Sequence, residues 1–313
     1  YVSWVVDAPV LELYTSAITN RYNRTFIFDR AVYDEIHPLN PDCVFHLPLA
    51  GSVIKRTAVI NSTPVTKRQK FSHDIVFVGS LYSEKNPLAS ASGLSEYTKG
   101  YIEGIMKAQE SVYGYYFIEE LLTDDIVAEV KNSVQGFPAP PEKSFLTDKR
   151  IVSQEYIGNA ITALERDDTF RMLSEHFHTT IYTGSDTTGL PKLENRGLAK
   201  SQEEMPVIFH GSKININTTS KPIRTGLPLR IFDILSCGGF CISNYQAEIP
   251  ELFVPGEEIV MYESLDELQE LCAYYLNHES ERRQIAEAGF EKLKKCYTYE
   301  TVLQKLLYTA FSS

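Results

Sequence analysis

The segment from Thr225 to Phe240 carries the residue types and the spacing that point most clearly to chemistry. It reads Thr-Gly-Leu-Pro-Leu-Arg-Ile-Phe-Asp-Ile-Leu-Ser-Cys-Gly-Gly-Phe. Proline suits the first turn of a helix and glycine suits its end, so the segment predicts a short helix that begins near Pro228 and ends at Gly238 and Gly239. Gly226, which lacks a side chain, would let a ligand approach the free amides at the start.

These amides and the helix dipole form a predicted anion site, to which Arg230 adds a positive charge with bidentate reach. A diphosphate suits such a site. Asp233 is an acceptor-only group about two turns from the start, where it would take both hydroxyls of a ribose. An ordinary α/β helix shows the same pattern when Arg230 and Asp233 form a surface pair at i, i+3, and the spacing alone leaves both interpretations open.

A parallel α/β sheet is predicted to position this helix, because strand and helix patterns alternate along the chain. In the first part, β-branched and aromatic runs at 1–6, 25–28 and 44–47 surround a helical pattern at 30–36. The first run ends at Asp7, at the carboxyl end of a strand, where open α/β sheets place ligands. Only about three strands fit before residue 55. We therefore expect this amino-terminal lobe to be incomplete.

A second lobe is predicted to begin near residue 73. Residues 55–72 are polar and basic and indicate a linker. Residues 74–81 form an apolar run with a glycine turn, typical of a first βα junction, and strand patterns return from residue 179 onward. Helix-length patterns between about 86 and 165 indicate a helical insertion. The predicted domains are 1–72 for the first lobe and linker, 73–297 for the second lobe, and 298–313 for a terminal helix that packs back towards the first.

Composition argues against several classes of function. The 313 residues carry a net charge of -11, which repels nucleic acid and anionic lipid. No apolar run approaches the roughly 20 residues of a membrane helix, and the first residues show no basic leader, so we expect a cytoplasmic protein. The five cysteines are scattered without a CxxC pair and predict reduced thiols and no metal site.

Several stretches of the second lobe resemble the glycosyltransferase family of the spore maturation protein CgeB, which is related to the group 1 glycosyltransferases of GT-B fold. The matching stretches are 74–82, 212–218, 226–239, 243–248, 274–278 with Glu281 and Arg282, and 297–299. Upstream, residues 3–9 and 46–50 look like the amino-terminal lobe that accompanies this domain.

The resemblance implies two Rossmann-like lobes that face a cleft, with a nucleotide-sugar donor on the second lobe. The donor-binding residues that it implies are Gly79, Ser80, Leu81, Lys85, Tyr182, Gly184, Asn217, Arg224, Thr225, Gly226, Leu227, Pro228, Leu229 and Asp233. In the wider group, two acids eight residues apart bracket the donor helix, the first near the sugar and the second on the ribose. Asp233 matches the second acid, whereas Thr225 replaces the first.

These observations predict a glycosyltransferase that moves a sugar from a nucleotide-diphosphate sugar, such as a UDP-sugar, to a protein or glycan acceptor. Negative charge grows on the leaving diphosphate, and the chain has no D-x-D motif for a metal. We therefore expect no metal or other cofactor and assign charge stabilisation to Arg230, then to Arg224 and Lys85, although the last two also suit a solvated surface. Asp7 would orient or deprotonate the acceptor hydroxyl, or else cap a helix. Retention of anomeric configuration follows only from the group 1 relatives.

Two other functions stay open. The absent first acid and the short first lobe favour a non-catalytic nucleotide-sugar-binding partner protein. A sugar-nucleotide epimerase would share the GT-B architecture, but it needs acid and base groups from both lobes, and Asp7 is the one convincing carboxylate.

Overall fold

Two parallel sheets organise the chain. A computed structural model describes residues 1–312. Strands β1 to β9 are, in chain order, Val2–Trp4, Arg24–Ile27, Val44–His46, Ile75–Val78, Thr179–Tyr182, Glu194–Asn195, Ile214–Asn217, Cys241–Asn244 and Val260–Tyr262. The first lobe has the 3-stranded sheet β1-β2-β3, and the second has the 6-stranded sheet β6-β5-β4-β7-β8-β9, with every pairing parallel.

Helices connect and cover these strands, as parallel pairing requires. Helices α1 to α14 are, in chain order, Arg30–Ile36, Val53–Ser62, Val65–Gln69, Glu96–Glu110, Ile118–Leu121, Asp124–Ser133, Asp148–Ile151, Gly158–His176, Met205–Gly211, Leu229–Ser236, Ile249–Leu252, Leu265–Asn277, Glu279–Cys296 and Tyr299–Ser312. A π-helical segment, Val152–Ile157, joins α7 to α8. Within residues 1–312, no helix is both long and apolar enough to cross a membrane.

The segment between β4 and α8 packs against the first lobe, although the elements before and after it belong to the second lobe. Ile102, Ile118 and Ile126 share one buried cluster with Ile27 and Val44 of the first sheet. The backbone of the segment also bonds to the first lobe, since Phe145 N–H donates to Tyr14 O at 2.6 Å. An insertion assigned by sequence to the second lobe therefore covers one face of the first sheet, whose own helices are too few to do so.

The last helix covers the opposite face of the first sheet. Val302 and Leu306 of α14 are buried together with Phe26 and Leu47. Side chains alternate between faces along a strand, so Phe26 contacts α14 while its neighbour Ile27 contacts the helical insertion. The three-stranded sheet is thus enclosed by two elements that lie far away in sequence.

The predicted linker at 55–72 is wrong, because α2 and α3 occupy most of it. Val53, Arg56 and Ile60 are buried at the i, i+3, i+7 spacing of one helix face. Val53 and Ile60 belong to the same core cluster as Ile208 of the second lobe. The polar composition concealed a narrow buried stripe, and this stripe attaches α2 to both lobes.

Gly289 in α13 packs against the backbone at Glu258, and we expect Gly289→Ala to lower the free energy of unfolding by about 1–3 kcal/mol. A Cβ there would stand 2.2 Å from Glu258 O. Urea unfolding followed by circular dichroism measures the change. Gly104→Ala in α4 is the control: nothing lies within 4 Å of its Cβ position, so it should stabilise by about 0.5–1 kcal/mol. Similar effects in both variants would contradict the packing argument.

Candidate functional site

A cavity of about 270 Å³ lies at the carboxyl ends of β4 and β7, between the two lobes. The described residues that line it are Val6, Asp7, Phe77, Val78, Gly79, Ser80, Tyr82, Lys85, Arg166, Asn217, Thr218, Thr219, Ser220, Ile223, Pro228, Leu229 and Arg230. Parallel α/β sheets place ligands at this edge. We call this cavity the cleft.

The start of α10 forms one wall of the cleft. Pro228 is the N-cap, with extended backbone at φ -70° and ψ 157°, and no side chain caps the helix. The first amides of α10 are therefore available to an anion. At the other end, Gly238 has a φ of 66° in the left-handed region, as predicted, whereas a Cβ on Gly239 would meet Phe209 O at 2.7 Å.

The turn after β4 forms a second wall. A Cβ on Gly79 would lie 2.8 Å from the Phe77 ring, so a larger residue there would require that ring to move. Tyr82 has a left-handed φ of 66°, which costs energy for a residue with a bulky side chain. Its ring lies 4.9 Å from Lys85 Nζ and 4.5 Å from the Arg166 guanidinium. The strained tyrosine therefore brings two cations to one side of the cleft.

Arg166 is the charged residue of the cleft lining that was not predicted from the sequence, where the lining also includes uncharged residues outside the prediction, such as Tyr82 and Thr218. It lies in the middle of α8 and is 8% exposed. Its Nη1 donates to Ser80 O and its Nη2 to Thr218 O, each at 2.6 Å, while Nε is buried with no hydrogen-bond partner. Burial lowers the pKa of Arg166. Two of the five N–H donors thus bind carbonyls, and neither partner compensates the buried charge.

Arg230 also reaches the cleft, but its charge is partly compensated. Its Nη1 lies 3.4 Å from Asp233 Oδ2 and 3.2 Å from Met205 Sδ. Burial lowers the pKa of Arg230, and Asp233 opposes that effect. Asp233 lies one turn beyond Arg230, and its Oδ1 accepts from Arg56 Nη2 of α2 at 2.8 Å. The predicted ribose acceptor is therefore engaged by two arginines, one of them on α2.

The loop before α10 is tied to the first lobe rather than open to a ligand. Asp29 Oδ2 accepts from the backbone N–H groups of Arg224 and Thr225 at 2.6 and 3.2 Å. The Thr225 hydroxyl lies 2.9 Å from Glu248 Oε1 and 3.1 Å from Asp29 Oδ1. A Cβ on Gly226 would meet Asp29 Cα at 2.9 Å. The space that was predicted to admit a ligand at Gly226 is thus filled by the first lobe.

The remaining predicted donor-binding residues lie away from the cleft lining. Arg224 pairs with Glu35 at 3.0 Å, and Leu227 is buried in the core.

Tyr182 bonds His73 at 2.9 Å, and burial raises the pKa of the Tyr182 hydroxyl to about 12. Leu81 is also buried, and its N–H donates to Ser185 Oγ at 2.8 Å. Gly184 packs against Leu198. Each of them holds structure behind the cleft.

Asp7 faces the cleft from the first lobe, after β1. Its carboxylate is exposed, and Oδ1 accepts from the N–H of Ala8 at 2.9 Å. Against this one carboxylate the lining places the cations Lys85, Arg166 and Arg230. The cleft therefore has an excess of positive charge in a chain that is acidic overall. Within residues 1–312, no group of three or more His, Cys, Asp or Glu side chains is arranged to hold a metal ion.

Comparison with known proteins shows what the second lobe resembles. Residues 166–308, a little under half of the chain, match the family model described as glycosyl transferase-like. The spore protein CgeB of Bacillus subtilis (strain 168) is 29% identical over 77 residues, which are 25% of this chain and 23% of that protein. The chain therefore spans less than a quarter of this curated relative, and the resemblance predicted from the motifs is confirmed.

Solved structures supply the fold. HepE of Anabaena in complex with UDP-glucose matches with a TM-score of 0.53 at 11% identity, covering 100% of this chain and 72% of that chain. A glycosyltransferase from Rickettsia africae ESF-5 matches with a TM-score of 0.51 at 10% identity, covering 99% and 70%. The predicted GT-B-like arrangement is confirmed. Residues 166–308 are therefore similar to glycosyl transferase-like domains, and the chain has the two-lobed GT-B fold.

Proposed function

We propose that the cleft binds a nucleotide-diphosphate sugar and that the chain transfers the sugar to an acceptor. The observation that carries this proposal is the buried guanidinium of Arg166, which has three N–H donors left beside its two carbonyl bonds. It faces the same cavity as Arg230 and the uncapped start of α10. A diphosphate is the ligand whose charge and acceptor atoms match this set.

The cations of the cleft would stabilise the leaving group of the transfer. Negative charge grows on the diphosphate as the glycosidic bond breaks, and fixed positive charge in a water-poor site stabilises it. Arg166 is held by two carbonyls and Arg230 by Asp233, so neither group must reorganise during the reaction. We assign leaving-group stabilisation to these two arginines with Lys85, without a metal ion.

Asp7 is the residue assigned to the acceptor. It is a carboxylate on the first lobe that lines the cleft, so an acceptor hydroxyl between the lobes would meet it. The relative HepE is bound to UDP-glucose in its crystal structure, which supports a UDP-sugar as the donor. Retention of configuration is part of the proposal through the group 1 resemblance alone.

Titration calorimetry with a panel of nucleoside diphosphates and their sugars, in EDTA, tests the donor site. We expect micromolar binding of UDP and a loss of about tenfold in Arg230→Ala, because one partly compensated charge contact disappears. Arg283→Ala is the control, since Arg283 is exposed and pairs with Glu279 outside the cleft. No nucleotide binding by the folded chain would overturn the proposal.

A non-catalytic donor-binding protein is the second candidate. The observation that favours it is Thr225, which stands at the position of the first acid and is bonded to Asp29 and Glu248. Release of UDP from a bound UDP-sugar, followed by chromatography, separates the two. Slow hydrolysis that Asp7→Asn abolishes supports the transferase, whereas tight binding without any turnover supports the binder.

A further inference from the structure

A second cavity, of about 180 Å³, lies beside α8 and shares no lining residue with the cleft. It is enclosed by the end of α4, the middle of α8 and the start of α12. Its charged lining residues are Lys107, Glu110, Glu165, Asp168 and Glu263. Glu165 is the sequence neighbour of Arg166, so adjacent positions of one helix line two different cavities. We call this second cavity the acidic cavity.

Glu165 is the least satisfied group in the acidic cavity. It is 2% exposed, and neither of its carboxylate oxygens accepts a hydrogen bond within residues 1–312. The nearest cation is Lys221, whose Nζ lies 3.4 Å from Oε1 and also stands 4.6 Å from the centre of the Tyr113 ring. A buried carboxylate that accepts no hydrogen bond is costly. The Tyr113 hydroxyl also stands near this carboxylate, since burial and then Glu165 raise the pKa of Tyr113. Both Glu165 oxygens therefore keep acceptor capacity within the described residues, which the N–H groups of a ligand would fill.

The charge around Glu165 is also unbalanced. A single ammonium, Lys107 Nζ, serves both Glu110 at 2.7 Å and Asp168 at 3.2 Å. Burial raises the pKa of Glu110, and the neighbouring Asp168 raises it further, against the effect of Lys107. Glu263 adds another carboxylate to the lining. A cation in the cavity would relieve this excess of negative charge.

The shape of the cavity favours an organic cation over a bare metal ion. A metal ion needs several ligand atoms that converge at about 2.0–2.6 Å, and no such group of side chains is found among residues 1–312. The volume of about 180 Å³ exceeds by several times the share of a single water in the liquid, ~30 Å³. Ser111 and Ser264 also line the cavity and offer hydroxyl groups to a polar ligand.

We propose that the acidic cavity binds a small organic ammonium ion, whose N–H groups donate to the carboxylate of Glu165. Asp168 and Glu263 supply further negative charge around it. The Lys221 ammonium already lies beside Glu165 and over the Tyr113 ring, so an ammonium group can be accommodated next to both side chains. This site does not depend on the donor cleft or on its proposed function.

Matched pairs of probes test the proposal on the full chain. Ethanolamine and glucosamine carry the ammonium group, and ethylene glycol and glucose are their neutral counterparts. In titration calorimetry we expect an ammonium probe to bind at least tenfold more tightly than its neutral counterpart. Equal binding of the two members of a pair, preferential binding of Mg²⁺ or Ca²⁺, or no binding of either ammonium probe would overturn the proposal.

Glu165→Gln removes the charge at nearly constant shape and is expected to weaken binding of the ammonium probe at least tenfold. Glu175→Gln is the matched control, because Glu175 lies exposed on the same helix. If the circular dichroism spectrum shows that Glu165→Gln does not fold, Asp168→Asn takes its place, since that side chain is 32% exposed, and a loss of about threefold is then expected. Unchanged affinity in a folded variant of either residue would overturn the assignment.

Discussion

Replacement of Arg166 by methionine is expected to weaken the binding of UDP by at least about a hundredfold. Hydrogen bonds to charged groups contribute ~1.5–3 kcal/mol each, and two of them to a phosphate correspond to a factor of a hundred or more. Arg166 is the cleft cation whose hydrogen-bond partners in the described chain are both carbonyls, so its loss removes uncompensated charge. Titration calorimetry of the folded variant measures the effect.

Two variants separate charge from position. Arg171→Met on the same helix is the control, because Arg171 is exposed and pairs with Asp167 at i, i+4. Arg166→Lys keeps the charge but cannot bridge Ser80 O and Thr218 O with one planar fork, so we expect an intermediate loss. Nucleotide affinity that survives Arg166→Met in a folded protein would place the diphosphate elsewhere.

The sequence predicts individual elements well because their signals are local. The helix predicted at 30–36 is α1, Arg30–Ile36, and its N-cap Asp29 accepts from Val32 N–H at 3.2 Å. The apolar run at 74–81 contains β4 and the glycine turn that lines the cleft. Periodicity and turn residues carry such information within a few positions.

The partner of each element is not a local property. The helical insertion has apolar stripes that suit either lobe, and the small first sheet takes them. Gly226 is an example at the site: a glycine before a helix suits a ligand or a neighbouring backbone, and here the neighbour is Asp29. The type of residue was informative, but its reason depended on contacts across almost 200 positions of sequence.

The residues of the cleft show the same difference between local signals and distant contacts. Pro228, Arg230 and Lys85 are brought together with Asp7, as a βα-turn argument favours. Arg166 was not predicted as a cleft residue, because a charged residue in a helix normally indicates a solvated face. A usable signal existed, since Phe170 and Leu173 at i+4 and i+7 are buried and place Arg166 on the apolar face of α8.

Asp29→Ala is expected to lower the free energy of unfolding by about 3–5 kcal/mol. Asp29 is 1% exposed, caps α1 through Val32 N–H, and accepts from the amides of Arg224 and Thr225 in the second lobe. Its removal leaves the buried N–H of Val32 and the partly buried N–H groups of Arg224 and Thr225 without this acceptor. Urea unfolding of the variant measures the loss, and Asp34→Ala, at an exposed position of α1, should change stability by less than about 0.5 kcal/mol.

Asp29→Asn distinguishes this network from simple packing. The amide keeps the volume and can still cap α1 through its oxygen, but its NH₂ group then faces the N–H groups of Arg224 and Thr225, where two donors repel. We expect a loss of stability close to that of alanine, together with weaker UDP binding, because these residues lead into the start of α10. Full stability of Asp29→Asn would mean that the loop is held by the shape of the Gly226 contact alone, since the carboxylate would then contribute nothing that a neutral side chain of equal size does not.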